Sequence, residues 1–309
     1  MVRKKTSKKK ISGAAAVVLG IIVLILGTLE HFGVIDLNDT KADVVLSGKG
    51  ATVSDDSVSF IDVGQGNSAL AISSGHAMLI DGGETDKGKD VLVFLEKNGV
   101  KKLDYVIATH QHTDHIGGLV DVLQSDIEIG TVIMPEVPDD LIPTSYTYEN
   151  FLNAISDRGL KIHAARDEEF KLGNFTVNTF AMSGDYSNLN NYSVVTKISS
   201  AAGSFLIMGD LETTAEKELL AKSSDLSADV LCVGHHGSSS SSGSALLNAV
   251  DPSCAVISVG EGNKYGHPNE PSLKRIREHT DKILRTDLNG NIVFDCTKQN
   301  LSVSFDKGS

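Results

Sequence analysis

Thr109-His110-Gln111-His112-Thr113-Asp114-His115 places three imidazoles and one carboxylate within six residues, directly after the strand-like run Leu103-Asp104-Tyr105-Val106-Ile107-Ala108. Side chains with lone pairs that converge at the end of a buried strand each need a partner. A bound cation supplies one to all of them, and imidazole with carboxylate is the donor set of zinc and its neighbours. The spacing suits two cations. His110 and His112, two apart, project to one side, and Asp114 and His115 follow where the chain turns into a helix. A lone histidine would be read as surface or structural. H-x-H-x-D-H after a strand is read as a metal motif.

Three further polar clusters follow apolar runs. Phe205-Leu206-Ile207-Met208-Gly209 delivers Asp210, Val230-Leu231-Cys232-Val233-Gly234 delivers His235 and His236, and the segment 260–268 delivers His267. Asp210 alone could be a helix cap for the segment at Thr213. Yet six of the ten histidines (110, 112, 115, 235, 236 and 267) fall into strand-end clusters. Two cations about 3.5–4 Å apart can activate a shared water and clamp the oxygens of an in-line displacement. A carboxylate reaching both is required, and Asp210 is the candidate. One of His235 and His236 would complete the second ion's shell, and the other would protonate a leaving group or bind substrate.

Around these clusters the periodicity alternates between strand and helix. Strands are expected over 58–63, 68–73, 77–80, 103–108, 131–134, 161–165, 175–180, 193–198, 204–208, 229–233, 255–259, 283–286, 291–294 and 301–305. Helices are expected over 91–98, from 115, and over 148–158, 213–222, 244–250 and 271–280. Strand-rich stretches in both halves with helices between them suggest two packed sheets with helices outside, an α/β fold. One folded domain, residues 57–306, follows.

The chain has 309 residues and opens with six basic residues among the first ten, then nineteen residues, 11–29, without a charge. That length is about enough to cross a bilayer as a helix, and the basic side stays in the cytosol. The organisation expected is a cytosolic tail (1–10), a transmembrane signal anchor (11–30), a linker (31–56) and the domain outside a plasma membrane. With the tail and Glu30 set aside, residues 31–309 keep 22 Lys and Arg against 39 Asp and Glu, a net charge of −17. Such a surface repels long polyanions and argues against holding duplex DNA by phosphate neutralisation. Cys232, Cys254 and Cys296 lack metal-ligand spacing and lie in or beside apolar runs, which makes them buried small residues.

Taken together, the 109–115 motif, Asp62-Val63-Gly64-Gln65-Gly66, Gly209-Asp210, Gly234-His235-His236-Gly237-Ser238 and Tyr265-Gly266-His267-Pro268 resemble the metallo-β-lactamase superfamily. Within it they are similar to the hydrolase domain of ComEC-type competence proteins, with cell-surface phosphorylcholine esterases related. The resemblance covers residues 57–306 and implies an αββα sandwich with the site along one sheet edge. It also implies two divalent ions, Zn2+ or Mn2+. His110 and His112 would bind the first, Asp114, His115 and His235 the second, and Asp210 would bridge. Asp114, Asp210, His236 and His267 are the expected catalytic residues. Two departures stand out: no histidine occurs in Asn188-Leu189-Asn190-Asn191-Tyr192-Ser193, where many members supply a third imidazole to the first ion, and Asn67 replaces an aspartate.

The function implied is a membrane-anchored, metal-dependent hydrolase of phosphoesters, small or cell-wall-linked. The alternatives are a ComEC-like nuclease, for which Lys264, Lys274, Arg275 and Arg277 could line a basic groove, and an inactive binding module on the same fold.

Overall fold

The computed structural model describes residues 44–307, residue 52 excepted. The expected basic tail and transmembrane segment lie outside the described residues. Among the described residues, no helix is long and apolar enough to cross a membrane.

In chain order the first half runs β1 (Val45–Lys49), β2 (Asp56–Phe60), β3 (Ala69–Ser73), β4 (His76–Ile80), α1 (Gly88–Lys97), β5 (Lys102–Ile107), α2 (Thr113–Gln124), β6 (Glu128–Met134), α3 (Tyr146–Asp157) and β7 (Ile162–Ala164). The second half runs β8 (Glu168–Leu172), β9 (Phe175–Phe180), β10 (Val195–Ser199), β11 (Ser204–Ile207), α4 (Thr213–Lys222), β12 (Val230–Cys232), α5 (Ser244–Val250), β13 (Cys254–Ile257), α6 (Glu270–Arg277), β14 (Ile283–Arg285), α7 (Thr286–Asn289), β15 (Ile292–Asp295) and β16 (Ser302–Phe305). A nine-stranded sheet has the order β1-β16-β15-β2-β3-β4-β5-β6-β7, and a seven-stranded sheet the order β14-β13-β12-β11-β10-β9-β8.

Strand alternation sorts side chains into three apolar layers. Val58, Phe60, Met78, Ile80 and Ile107 of the larger sheet face Phe175, Val177, Phe205, Ile207 and Val230 of the smaller one. Their alternates Leu79, Val106 and Val132 pack with Val91, Leu95, Ile116, Leu119, Phe151 and Ile155 from α1, α2 and α3. On the other outer face, Leu206, Leu231 and Ala255 pack with Leu219, Leu246 and Ile276 from α4, α5 and α6. Period 2 in the strands and 3.6 in the helices thus yields the four-layer αββα arrangement expected. Cys232, Cys254 and Cys296 are buried free thiols in the central layer, each pushed up to about 12 by burial.

The expected linker 31–56 needs correction at its C-terminal end. Val45–Lys49 pairs in parallel with Ser302–Phe305, so the domain begins before Ser57. The run Glu168-Glu169-Phe170-Lys171-Leu172 also forms an edge strand, pairing antiparallel with β9.

Strands β4, β5 and β6 run parallel, as do β11 to β14. Loops at the carboxyl ends of parallel strands are where open α/β sheets gather their ligands. Here those ends deliver Asp81, residues 109–115, Asp210, residues 235–236 and residues 258–267.

An aromatic chain locks the sheets together. Phe294 meets Phe60 edge-on at 6.0 Å between ring centroids, and Phe205 across the sandwich at 5.3 Å. Phe205 is fully buried. Phe205→Ala is therefore expected to cost about 3–5 kcal/mol of unfolding free energy, measured by urea denaturation. A loss below about 1 kcal/mol would contradict this packing.

Candidate metal centre

The end of β5 is anchored by a residue that the motif itself does not contain. Asp81, following β4 with φ 59°, is buried. Its Oδ1 accepts from Thr109 N at 2.8 Å, and its Oδ2 accepts from Thr109 Oγ1 at 2.8 Å and from His115 Nδ1 at 2.7 Å. With its proton committed at Nδ1, His115 turns Nε2 towards Asp210 Oδ1, 3.2 Å away. An acidic partner on the far ring nitrogen is the usual support of a metal-binding histidine.

The helix that follows is set deep against two loops by glycine. A Cβ on Gly118 would collide with the carbonyl oxygen of Gly82. Gly82 N donates to His115 O at 2.7 Å, and Gly118 N to Gly83 O at 3.0 Å. Asn67 joins the same contact through its backbone, donating to Asp114 O at 3.2 Å. Asn67, where the ComEC-like pattern has aspartate, thus keeps the loop contact through its backbone.

His235 and His236 lie in a left-handed turn, with φ of 52° and 54°, followed by Gly237 at 80°. Two successive non-glycine residues in this region cost about 1–2 kcal/mol each. The turn is held by His235 N donating to Gly209 O at 3.0 Å and Ser238 N to His235 O at 2.8 Å. Downstream, Glu216 accepts from Ser242 N and Gly243 N, and Arg275 donates to the carbonyls of Ser239, Ser241 and Ser242. The result sends the two rings in different directions.

Asp114, His115, Asp210 and His236 offer donor atoms that all lie within 4.8 Å of one another. His236 Nδ1 donates to Ser258 O at 2.9 Å, which leaves Nε2 facing Asp114 Oδ2 at 3.3 Å and Asp210 Oδ1 at 3.5 Å. The atoms His115 Nε2, Asp210 Oδ1 and His236 Nε2 are buried and carry no hydrogen bond. Three such atoms aimed at one point fit a cation, because buried polar atoms otherwise find partners. A second set adjoins the first. His110 Nε2 is 2.9 Å from His112 Nδ1 and 3.9 Å from Asp210 Oδ2. Asp210 therefore turns one oxygen to each set, as the bridging role requires.

The buried carboxylates and imidazoles also compensate one another's charge. Burial works against charge on His115, yet Asp210, Asp81 and Asp114 overcome it and raise its pKa well above the ordinary value. Burial, with His115 and His112 nearby, keeps His110 neutral; burial likewise lowers His112. Asp210 stays ionised despite complete burial, because His115 and His236 outweigh the desolvation. Burial, with His236 and His235 beside it, takes His267 down to about 4.

The expected places of His235 and His236 are exchanged. His236 is buried beside Asp114 and Asp210, whereas His235 is partly exposed, with Nε2 3.7 Å from Asp210 Oδ2 and Nδ1 3.5 Å from Glu212 Oε1. The cause is the left-handed turn, which points the second ring inward. His267 lines the same cavity, of about 370 Å³, with Gln65, Glu84, Asn190 and Tyr265. The asparagine-rich stretch supplies no imidazole and instead surrounds Glu212. Asn188 Nδ2, Asn190 Nδ2 and Asn191 Nδ2 lie 3.1, 3.4 and 3.4 Å from its carboxylate oxygens. Asp81 and Glu212 are the residues that sequence reasoning missed. Asp81-Gly82-Gly83 at a strand end was the available signal for the first, and spacing two after Asp210 for the second.

Of the four basic residues that a nuclease groove could use, Arg275 is spent on backbone carbonyls and Arg277 pairs with Glu270 at 2.9 Å. Lys264 stands beside Tyr265, and Lys274 is exposed on α6.

Residues 61–261 match the family model of the metallo-beta-lactamase superfamily. The chain is 31% identical over 266 residues to ComE operon protein 3 of Bacillus subtilis, covering 78% of this chain and 33% of that protein. It is 32% identical over 243 residues to Competence protein ComA of Neisseria gonorrhoeae, covering 75% and 31%. Recombination protein 2 of Haemophilus influenzae is 28% identical over 244 residues, covering 76% and 28%. The chain thus spans about a third of the length of these relatives. Among solved structures, CmlA, a diiron beta-hydroxylase from Streptomyces venezuelae, shares the fold with a TM-score of 0.51 at 14% identity, over 78% of this chain and 54% of that one.

Asp81→Asn replaces the anionic acceptor of His115 Nδ1–H by an amide. It is expected to weaken binding of Zn2+ or Mn2+ about 10- to 100-fold, measured by chelator competition with the thermal midpoint followed in parallel. Unchanged metal affinity in a folded variant would refute the positioning role of Asp81.

Proposed function

Because this chain belongs to the metallo-β-lactamase superfamily and gathers two donor sets around Asp210, we propose that it is a metal-dependent hydrolase of phosphodiesters. The observation that carries this reading is the convergence of three buried donor atoms without hydrogen bonds, His115 Nε2, Asp210 Oδ1 and His236 Nε2, beside the His110–His112 pair. His110 and His112 would hold a first ion, Asp114, His115 and His236 a second, and Asp210 would serve both. Zn2+ and Mn2+ both suit these ligands, and two such ions supply Lewis acidity at a phosphoryl group and acidify water.

The protein's own share is positioning. Asp81 and Ser258 fix the tautomers of His115 and His236. Glu212, gripped by three asparagine amides, orients His235 at the cavity wall. His235 thereby takes the part first expected of His236, binding a substrate oxygen or giving a proton to the leaving group. His267, kept neutral, is available as a hydrogen-bonding partner to the substrate. The site is proposed to work outside the plasma membrane, on a domain tethered through residues 11–30.

A second, narrower reading is a nucleic-acid strand as substrate. The observation favouring it is that the similar proteins bear competence and recombination names. The −17 charge of residues 31–309 opposes a long duplex but not a short or single strand.

The full chain, purified in detergent and loaded with Zn2+ or Mn2+, is expected to hold close to two ions and hydrolyse bis(p-nitrophenyl) phosphate. Asp210→Ala should lower that turnover more than about 100-fold, beyond the range for losing an outer partner of a ligand. Bound metal with no turnover on this diester, on p-nitrophenyl phosphorylcholine or on single-stranded DNA would move the protein to a binding role.

A further inference from the structure

The loop that follows the His235–His236 turn is gripped from two sides by charge. Residues 238–243 are five serines and a glycine and carry no charged group of their own. The Arg275 guanidinium donates to the carbonyls of Ser239, Ser241 and Ser242 at 3.1, 2.8 and 3.1 Å. Ser242 N and Gly243 N donate to Glu216 Oε1 and Oε2 at 2.6 and 3.0 Å. Ser242 has a φ of 52°, a left-handed backbone that a residue with a Cβ adopts only when held there. Gly243 lets the carboxylate come close, since a Cβ at that position would meet Glu216 Oε2 at 3.0 Å.

What this loop supports is the turn. Ser242 Oγ accepts from Gly234 N at 3.2 Å, and a Cβ on Gly234 would meet Ser241 Cβ at 3.2 Å, so the residue before His235 rests directly on the gripped segment. Ser240 Oγ lies 3.2 Å from Glu212 Oε1 and 3.4 Å from His235 Nδ1. Glu216 itself is buried on α4. Each of its oxygens accepts one N–H, an arrangement that suits the ionised form. In the acid, one oxygen becomes an O–H donor facing an N–H, and the other loses the added strength that charge gives a hydrogen bond. Burial pushes Glu216 up to about 7, outweighing the two backbone donors and Arg275. The other elements against α4 bring no opposing charge: α5 and residues 188–192 are uncharged, and Glu212 faces the asparagine amides. On α4, Lys217 is exposed and Glu218 accepts from Ser183 and Tyr186.

We propose that Glu216 is a positioning residue for His235 and His236, and that one buried proton on its carboxyl decides whether the serine loop holds their turn in place. The effect on turnover rests on the hydrolase reading, whereas the effect on the loop does not. Ionised, Glu216 grips both N–H groups and the turn is set; protonated, it releases one of them, and Ser242 loses the brace that keeps it left-handed. Global stability runs the other way. The folded value lies above the ordinary carboxyl value of 4.5, so the stability that the neutral group contributes is full below about pH 4.5 and is lost as pH rises through about 7. Local order at the turn thus increases over the same pH range in which overall stability declines, a pairing that a plain structural contact does not produce.

Hydrogen exchange of the full chain in detergent, read by mass spectrometry at pH 6 and pH 8.5 with labelling times scaled for intrinsic rate, needs neither metal nor turnover. Wild-type amides within 238–243 are expected to be about tenfold better protected at the higher pH, a factor that one hydrogen bond to a charged group supplies. Glu216→Gln, which keeps the shape without the charge, should show the lower protection at both pH values, and its thermal midpoint should gain on the wild type as pH rises. With Mn2+ loaded and bis(p-nitrophenyl) phosphate as substrate, the ratio of wild-type to Glu216→Gln turnover should climb from near one at pH 6 to about tenfold at pH 8.5. Taking the ratio cancels the titration of metal-bound water common to both chains. Equal wild-type protection at the two pH values overturns the proposal, even if the variant fails to fold. So does a Glu216→Gln chain that follows the wild type, or a flat turnover ratio between two active chains. The expected exchange pattern with no turnover in either chain upholds the proton-controlled loop and counts against the hydrolase reading alone.

Discussion

A fully buried carboxylate surrounded by imidazoles is the constraint on which the molecule turns. Asp210 lies within 3.2 to 3.9 Å of His110, His115, His235 and His236. An ionised group so placed is costly unless positive charge meets it. Much of the surrounding architecture can be understood as holding that charge in register: Ser193 Oγ accepts from its backbone N–H, Asp81 orients one imidazole, and a backbone carbonyl orients another. The two sheets meet the requirement because parallel strands of each present their carboxyl ends along one edge.

The fold was legible from the sequence where burial imposes a period. β9 and α4 have the bounds expected, since Phe175, Val177 and Thr179 alternate inward and Ala215 and Leu219 lie four apart. What escaped were edges. Glu168-Glu169-Phe170-Lys171-Leu172 carries charge on a strand that has one neighbour, and Val45–Lys49 owes its strand form to a partner more than 250 residues away. Edge strands bury little, so their composition says little.

The donor set was legible because ligand chemistry confines residue types. Its internal geometry was not. Whether His235 or His236 faces Asp114 depends on φ at both residues, and no side-chain property of adjacent histidines reports that angle. Asp81 escaped for a related reason: its contacts with Thr109 and His115 span 28 and 34 positions. The asparagine-rich stretch is a departure from the wider superfamily at the first donor set, and the structure gives it other work. Its amides hold Glu212, so an outer layer of polar contacts replaces what elsewhere would be a direct ligand.

The parallel pairing of Val45–Lys49 with Ser302–Phe305 has a consequence for how such a unit can be carried by longer proteins. Val45 lies across from Ser302 and Lys49 from Phe305, so the polypeptide comes into the domain and departs from it along a single sheet edge, within one strand's length. A unit with neighbouring ends can be spliced into another polypeptide without threading its core. Relatives about three times as long can thus accommodate this fold as a module whose interior, and whose edge of histidines and carboxylates, are indifferent to what is fused on either side.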